Sequence, residues 1–315
     1  MRALVTGVCG FIGSTLAERL LVEGHQVVGV DSFTGYYPRA VKEENVASLL
    51  ERPGFGLIEA DLADVALGPL LDGIDTVFHL AGQPGVRASW GSEFANYLDW
   101  NVGATQRLLE ACRDRPLDRF VYSSSSSVYG NATSFPTNED DRPQPFSPYG
   151  VTKLAGEHLC TLYGTNFGVP TVSLRYFTVY GPKQRPDMAM HKLFEAAIAG
   201  ASFPMNGDGS QIRDFTFVDD VVQANVLAAG VPCAPGRVYN VGGGSKTSLA
   251  EVIELVERFL ERPVRIERVG DAAGDPARTG ADTSRIQDEL GWTPRVSIEI
   301  GLRRQADWHR ARHGC

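Results

Sequence analysis

The chain begins with the motif that most restricts what it can fold into. Residues 3–6 form a short apolar run, Thr6-Gly7-Val8-Cys9-Gly10-Phe11-Ile12-Gly13 follows directly, and Phe11–Val22 reads as an amphipathic helix. Small residues in such a strand–turn–helix let the backbone approach a pyrophosphate and let helix and strand pack closely. The helix N-terminus adds N–H groups and the positive end of its dipole. Taken alone, the turn suits any tight strand–helix connection. Its context favours the cofactor reading. Asp31 ends a second apolar run, about 20 residues on, where a ribose-binding carboxylate belongs. An acidic side chain there accepts from ribose hydroxyls and repels a 2′-phosphate, so NAD is expected rather than NADP.

Further apolar runs stand at 27–30, 56–59, 76–80, 119–123 and 171–174, with helical patterns between them, notably 95–113 and 148–166. That alternation implies a parallel sheet with helices on both faces. The expected fold is α/β, a Rossmann-type doubly wound parallel sheet with a smaller C-terminal α/β substrate lobe. Residues 1–175 are expected to form the NAD-binding domain and 176–315 mainly the lobe, with 218–240 returning to the first domain. In the later part, 211–218 alternates like a strand, and 191–199, 218–229, 248–260, 283–290 and 298–310 read as helices. After the third and fourth strands, Asp61 and Leu62 are expected near the adenine, and Leu80, Ala81 and Gly82 as a small-residue floor for the cofactor.

Composition narrows the partners. With 30 Lys+Arg against 38 Asp+Glu, the net charge of −8 argues against a general nucleic-acid binder. No apolar run approaches the roughly 18 residues of a membrane span. The five cysteines are scattered, odd in number and never spaced as C-x-x-C, which fits neither a disulfide framework nor a zinc site. A reduced cytoplasmic setting and no metal are expected.

The chemical groups lie further on. Tyr149-Gly150-Val151-Thr152-Lys153 follows Ser147-Pro148, a helix start with serine as cap and proline in the first turn. Tyr149 and Lys153 then share one helical face. A lysine ammonium and the positive charge of oxidised nicotinamide both favour a phenolate, which makes Tyr149 a candidate general base. A Y-x-x-x-K pair is common on helix surfaces. It gains weight from Ser123-Ser124-Ser125-Ser126-Ser127-Val128-Tyr129-Gly130 at the end of the fifth run. Carboxyl ends of parallel strands are where such sheets bind ligands. His79, at the end of the fourth run, reads as a packed core histidine.

Taken in order, TGVCGFIG, SSSSSVYG, YGVTK, RYFTVYGP and RDFTFVDD resemble the extended short-chain dehydrogenase/reductase superfamily, in its nucleotide-sugar epimerase branch, over essentially the whole chain. The resemblance implies Ser125 as catalytic hydroxyl, Tyr149 as base, Lys153 as its partner and Arg213 as a contact of the substrate diphosphate. It adds Asn101, Ser123 and Tyr176 to the NAD-binding set of Gly7, Gly10, Phe11, Ile12, Gly13 and Asp31. Dehydratases of the superfamily carry an acid after the catalytic hydroxyl, and nucleotide-glucuronate decarboxylases a glutamate. Here Ser126 and Ser127 stand there, which points to a 4-epimerase.

The segments 83–90, 175–182 and 184–191 resemble bacterial UDP-glucuronate 4-epimerases. That likeness implies C4 inversion of UDP-glucuronate to UDP-galacturonate, with Ser126, Ser127 and Thr178 at the sugar carboxylate and Arg87 and Arg185 toward the substrate. The alternatives are a UDP-glucose/UDP-galactose (or N-acetylhexosamine) 4-epimerase and a UDP-glucuronate decarboxylase. In 271–276 the arginine that UDP-galactose epimerases often carry is missing, and Arg278 is the nearest substitute. The resemblance also implies a homodimer through the helices at 95–113 and 148–166.

Overall fold

The computed structural model describes residues 1–270, 276 and 278–314. Its strands are β1 (Arg2–Thr6), β2 (Gln26–Asp31), β3 (Phe55–Glu59), β4 (Thr76–His79), β5 (Arg119–Ser125), β6 (Thr171–Tyr176), β7 (Val179–Tyr180), β8 (Ser202–Asn206), β9 (Ile212–Phe217), β10 (Arg237–Val241), β11 (Ser245–Ser248) and β12 (Arg265–Val269). Seven of them form one parallel sheet in the order β10-β6-β5-β4-β1-β2-β3. The central strands β1 and β4 are buried on both faces, which is why they read as short, largely apolar runs rather than alternating ones.

Strand order reverses between β1 and β4. Thr6 there pairs with Val30 on one side and His79 on the other, so three carboxyl ends open side by side. Such a switch point leaves a crevice for ligands. The helix Phe11–Val22 buries Phe11, Leu16, Ala17 and Leu20 in the core that also takes Val221, Val222 and Ala224 of the helix Val218–Gly230. The helix Pro148–Phe167 approaches β5 closely at Gly156, where a Cβ would lie 2.2 Å from the Tyr122 hydroxyl.

Outside the main sheet, β11, β9 and β7 form a three-stranded sheet, and β12 pairs in parallel with β8. Against them pack the helices Ala189–Ala199, Leu249–Leu260 and Ile298–His313. Ser248 and Glu251 close a reciprocal capping box at the start of the second.

Several elements depart from the periodic reading. The helix Arg39–Leu50 was not anticipated, because two of its four buried positions are Lys42 and Asn45 and blur the apolar stripe. Within 95–113 the helix is interrupted by a π-helical segment, Leu98–Gly103, which turns Asn101 inward. Strands β8, β10 and β12 also escaped notice, since Pro204 breaks one and charged residues crowd another.

Candidate active site

The strand ends and their loops border one cleft of about 1430 Å³. Pockets for one drug-sized ligand run to roughly 300–1,000 Å³, so this space suits a dinucleotide with a second ligand beside it. At one end, Gly7 holds φ at +68° and donates its N–H to the Val30 carbonyl at 2.8 Å. A Cβ at Gly7 would stand 2.9 Å from the Ala81 backbone, and one at Gly13 would stand 2.3 Å from the Gly7 carbonyl oxygen. Only glycine fits either position. Gly10 caps the helix Phe11–Val22 without a side-chain acceptor, which leaves the first-turn N–H groups for an anion. These features fit the pyrophosphate of NAD.

Asp31 is buried at the end of β2. Its carboxylate accepts from the Cys9 N–H at 3.1 Å, the Phe33 N–H at 2.9 Å and the Lys42 ammonium at 3.2 Å. Lys42 is the cofactor-side residue that the sequence reading missed. It sits in a helix that looked like solvent surface, and no short motif marks it. Asp61 accepts from the Trp100 indole at 3.0 Å and from the Ala63 N–H at 2.8 Å. Trp100 therefore lines the cleft as well as packing. Leu62 and Leu80 lie on the same wall, and the Ala81 N–H donates to the Thr6 hydroxyl at 3.1 Å.

Asn101 does not line the cleft and stands behind it. Its amide holds the Gln83 backbone (2.6 and 3.0 Å) and donates to the Thr152 hydroxyl at 3.0 Å, so all its groups are spent on protein. A Cβ on Gly82 would meet that amide at 2.7 Å. The geometry makes Asn101 a clamp on the β4 loop rather than a cofactor contact. Every other residue singled out from the sequence for cofactor or substrate borders the one cleft.

At the other end, Ser147 accepts from the Gly150 N–H at 3.1 Å and starts the helix that carries Tyr149 and Lys153. The Tyr149 phenol is buried beside the Ser125 hydroxyl, and its ring meets Tyr97 edge-on at 6.2 Å. Burial raises the phenol above its ordinary value, against the Ser125 hydroxyl and the Arg185 charge, which pull it down. Lys153 makes a different contact from the one its spacing suggested. Its ammonium donates to the Ser123 carbonyl at 2.9 Å and lies 5.3 Å from the Tyr122 ring centroid. Burial lowers the Lys153 pKa to about 8.

Ser125 Oγ accepts from the Ser127 N–H at 3.1 Å, which sets the short turn carrying Ser126 and Ser127. Behind this turn lies a buried network with no counterpart in the motif reading. Ser124 donates to Glu157 at 2.9 Å, and Arg175 grips the same carboxylate at 2.5 and 3.0 Å. Arg175 also donates to the Tyr129 hydroxyl at 2.7 Å, and Tyr129 donates to Asn240 at 2.7 Å. Tyr176 lines the cleft with its ring while its hydroxyl donates to Asn225 at 2.9 Å. His79 is fully buried between the Thr6 and Thr105 hydroxyls at 2.8 and 2.9 Å, and burial pushes its pKa down to about 3. It is a core histidine, as expected.

Arg185 is held by Asp187 through two hydrogen bonds of 2.9 and 3.0 Å, and Tyr36 donates to the same carboxylate at 3.3 Å. Burial alone would raise the Asp187 carboxyl, but the Arg185 guanidinium holds it below its ordinary value. Tyr36 and Asp187, both overlooked in the sequence, thus tie the β2 loop to the loop beyond β7. Thr178 is partly buried on the same side, its carbonyl fixed by the Thr216 N–H at 3.0 Å. Arg213 and Arg278 border the outer cleft, Arg278 lying 4.9 Å from the Phe135 ring centroid, and Arg87 is exposed at the rim. Of 271–276, only Pro276 lies among the described residues.

Comparison with known proteins agrees with this geometry. Residues 3–242 match the NAD dependent epimerase/dehydratase family. A structure of UDP-glucuronic acid 4-epimerase from Bacillus cereus, in complex with UDP-glucuronic acid and NAD, superposes with a TM-score of 0.96 at 43% identity, covering 99% of each chain. An uncharacterized UDP-glucose epimerase, YtcB, from Bacillus subtilis (strain 168) is 44% identical over 303 residues, 96% of each chain. UDP-glucuronate 4-epimerase from Thermodesulfobacterium geofontis is 35% identical over 312 residues, 98% of this chain and 95% of that one. The chain is a member of the NAD dependent epimerase/dehydratase family, in the nucleotide-sugar epimerase branch of the extended short-chain dehydrogenases/reductases.

Proposed function

We propose that this chain is an NAD-dependent UDP-glucuronate 4-epimerase that interconverts UDP-glucuronate and UDP-galacturonate through a transient 4-keto sugar. The observation that carries the reading is the buried Tyr149 phenol beside the Ser125 hydroxyl, set at the strand ends in a cleft whose other end is the glycine cradle beside Asp31. Tyr149 takes the proton of the C4 hydroxyl, and Ser125 shares the charge that develops on that oxygen. NAD, when bound, supplies reversible hydride exchange at C4. After the sugar turns about its bond to the diphosphate, Tyr149 returns the proton from the same position.

Asp31 holds the adenosine ribose, Gly7, Gly10 and Gly13 admit the pyrophosphate, and Lys153 fixes the backbone at Ser123 beside the nicotinamide. Ser126, Ser127 and Thr178 hold the sugar carboxylate, while Arg213 and Arg278 meet the diphosphate. Arginine suits either anion through paired N–H donors. Ser126 and Ser127, not acidic side chains, follow Ser125, unlike the pattern of the dehydratases. We assign NAD binding mainly to 1–175 with 218–240, and the nucleotide sugar mainly to 176–315.

Among the described residues no helix is long and apolar enough to cross a membrane. We place the enzyme in the cytoplasm as a homodimer. Support for the dimer comes from Leu98, Val151, Leu162 and Phe167, each at least 45% exposed on 98–103 and the helix Pro148–Phe167. Sedimentation of the parent protein against a Leu162→Glu/Phe167→Glu variant tests it, and a parent that sediments as a monomer contradicts it. The activity is tested by incubating the protein with UDP-glucuronate and NAD and identifying the product by NMR. UDP-galacturonate supports the proposal. UDP-xylose, or turnover of UDP-glucose alone, refutes it.

A further inference from the structure

Away from the cleft, the helices Ala189–Ala199 and Ile298–His313 pack against each other. Each presents an i, i+4 pair of donor residues at the contact: His191 with Glu195, and His309 with His313. The expectation of no metal passed over this second pair, which lies at the end of a helix rich in arginine. Glu195 Oε1 lies 2.8 Å from His309 Nδ1, and His313 Nε2 lies 3.1 and 3.0 Å from the two oxygens of that carboxylate. His191 Nε2 stands 3.9 Å from Glu195 Oε1. The donor atoms of Glu195, His309 and His313 all lie within 4.8 Å of one another.

We propose that Glu195, His309 and His313 form a binding site for a divalent transition metal of the zinc class, outside the active site. Tetrahedral ligands at zinc bond lengths of roughly 2.0–2.1 Å stand about 3.4 Å apart, so both histidine nitrogens would draw back slightly from Glu195 while settling toward that separation from each other, from within 4.8 Å. Two imidazoles and one carboxylate leave a fourth position open to water. Glu195 and His313 are partly exposed and give access, while His309 is fully buried and fixes the inner side.

A further observation favours a metal over a simple ion pair. Among the described residues, His309 Nε2 and His191 Nδ1 are both buried without a hydrogen-bond partner, on rings 4.8 Å apart. Metal on His309 Nδ1 fixes the proton on Nε2, next to the ring with the other unpaired nitrogen. Outer partners of that kind commonly orient ligating histidines. The metal would tie the C-terminal helix to the one that begins just beyond Arg185 and Asp187.

The test is a titration of the tag-free, NAD-bound enzyme with zinc chloride, followed by calorimetry and thermal unfolding, with magnesium chloride as control. We expect saturable binding near one zinc per chain and a rise in Tm, with no response to magnesium, whose preference is for oxygen ligands. His313→Ala and Glu195→Gln, both at the exposed side, are expected to weaken binding by about tenfold or more while leaving epimerase activity without zinc unchanged. Absence of saturable zinc binding overturns the proposal. So does zinc binding that both variants retain at full strength, since the metal would then sit elsewhere, for instance on a thiol.

Discussion

The 4-keto form of a glucuronate is a β-keto acid, and the enzyme must keep it from losing CO₂. Loss is fastest when the bond to the carboxylate lies parallel to the carbonyl π system, so holding the carboxylate out of that alignment protects the intermediate. Thr178→Ala probes this restraint. The Thr178 carbonyl is anchored by the Thr216 N–H at 3.0 Å, so the substitution deletes a hydroxyl without releasing the loop. A hydrogen bond to a charged group contributes about 1.5–3 kcal/mol. If that energy is what disfavours the aligned rotamer, losing it raises the aligned population by about tenfold to about 150-fold. The assay is NMR of the sugar nucleotides with trapping of CO₂ from substrate labelled at C6. We expect UDP-pentose products to rise well above the parent level as epimerisation falls. If the variant releases no more UDP-pentose than the parent, the restraint role of Thr178 is wrong.

Other substitutions probe the remaining parts of the site. Asp31→Asn leaves Lys42 without its carboxylate partner beside the ribose position, so NADP affinity should rise relative to NAD by about tenfold, the scale of one charge-assisted hydrogen bond; an unchanged ratio by fluorescence titration counts against the assignment. Glu157→Ala strands Arg175 in the buried network and should destabilise the fold by about 3–5 kcal/mol in denaturant unfolding. The depressed Lys153 pKa has a pH signature. The folded chain binds fewer protons than the unfolded one between pH about 8 and the ordinary lysine value of 10.5, so the buried ammonium costs stability below this window and the cost fades as pH rises through it. Lys153→Met should therefore be more stable than the parent at pH 7 and lose that advantage by pH 10.5, and thermal unfolding across that range would expose the opposite trend.

The parts of the molecule that could be read from the sequence are those fixed by local chemistry. Gly7 and Gly13 announce a turn that only glycine can make, and the burial of β1 and β4 on both faces writes them as short, largely apolar runs. Ser147-Pro148 likewise marks the start of the helix that carries Tyr149 and Lys153. Contacts between distant segments were not legible. Lys42 meets Asp31, Tyr36 meets Asp187, and Glu157 meets Arg175 through tertiary packing alone, and each resembles surface charge when read locally. Asn101 was misplaced for a related reason. Its motif position suggested the cofactor, but the π-helical segment turns it into the protein, where Gln83 and Thr152 take up its amide. The expected coupling of Lys153 to Tyr149 followed from helical spacing, whereas the ammonium reaches the Ser123 carbonyl instead.

In the proposed mechanism, oxidation and reduction at C4 pass through a carrier that never leaves the cleft. UDP-glucuronate deuterated at that carbon, run to equilibrium in ordinary water, should give UDP-galacturonate with the label still in place. Product carrying solvent hydrogen there would mean that inversion occurs by another route.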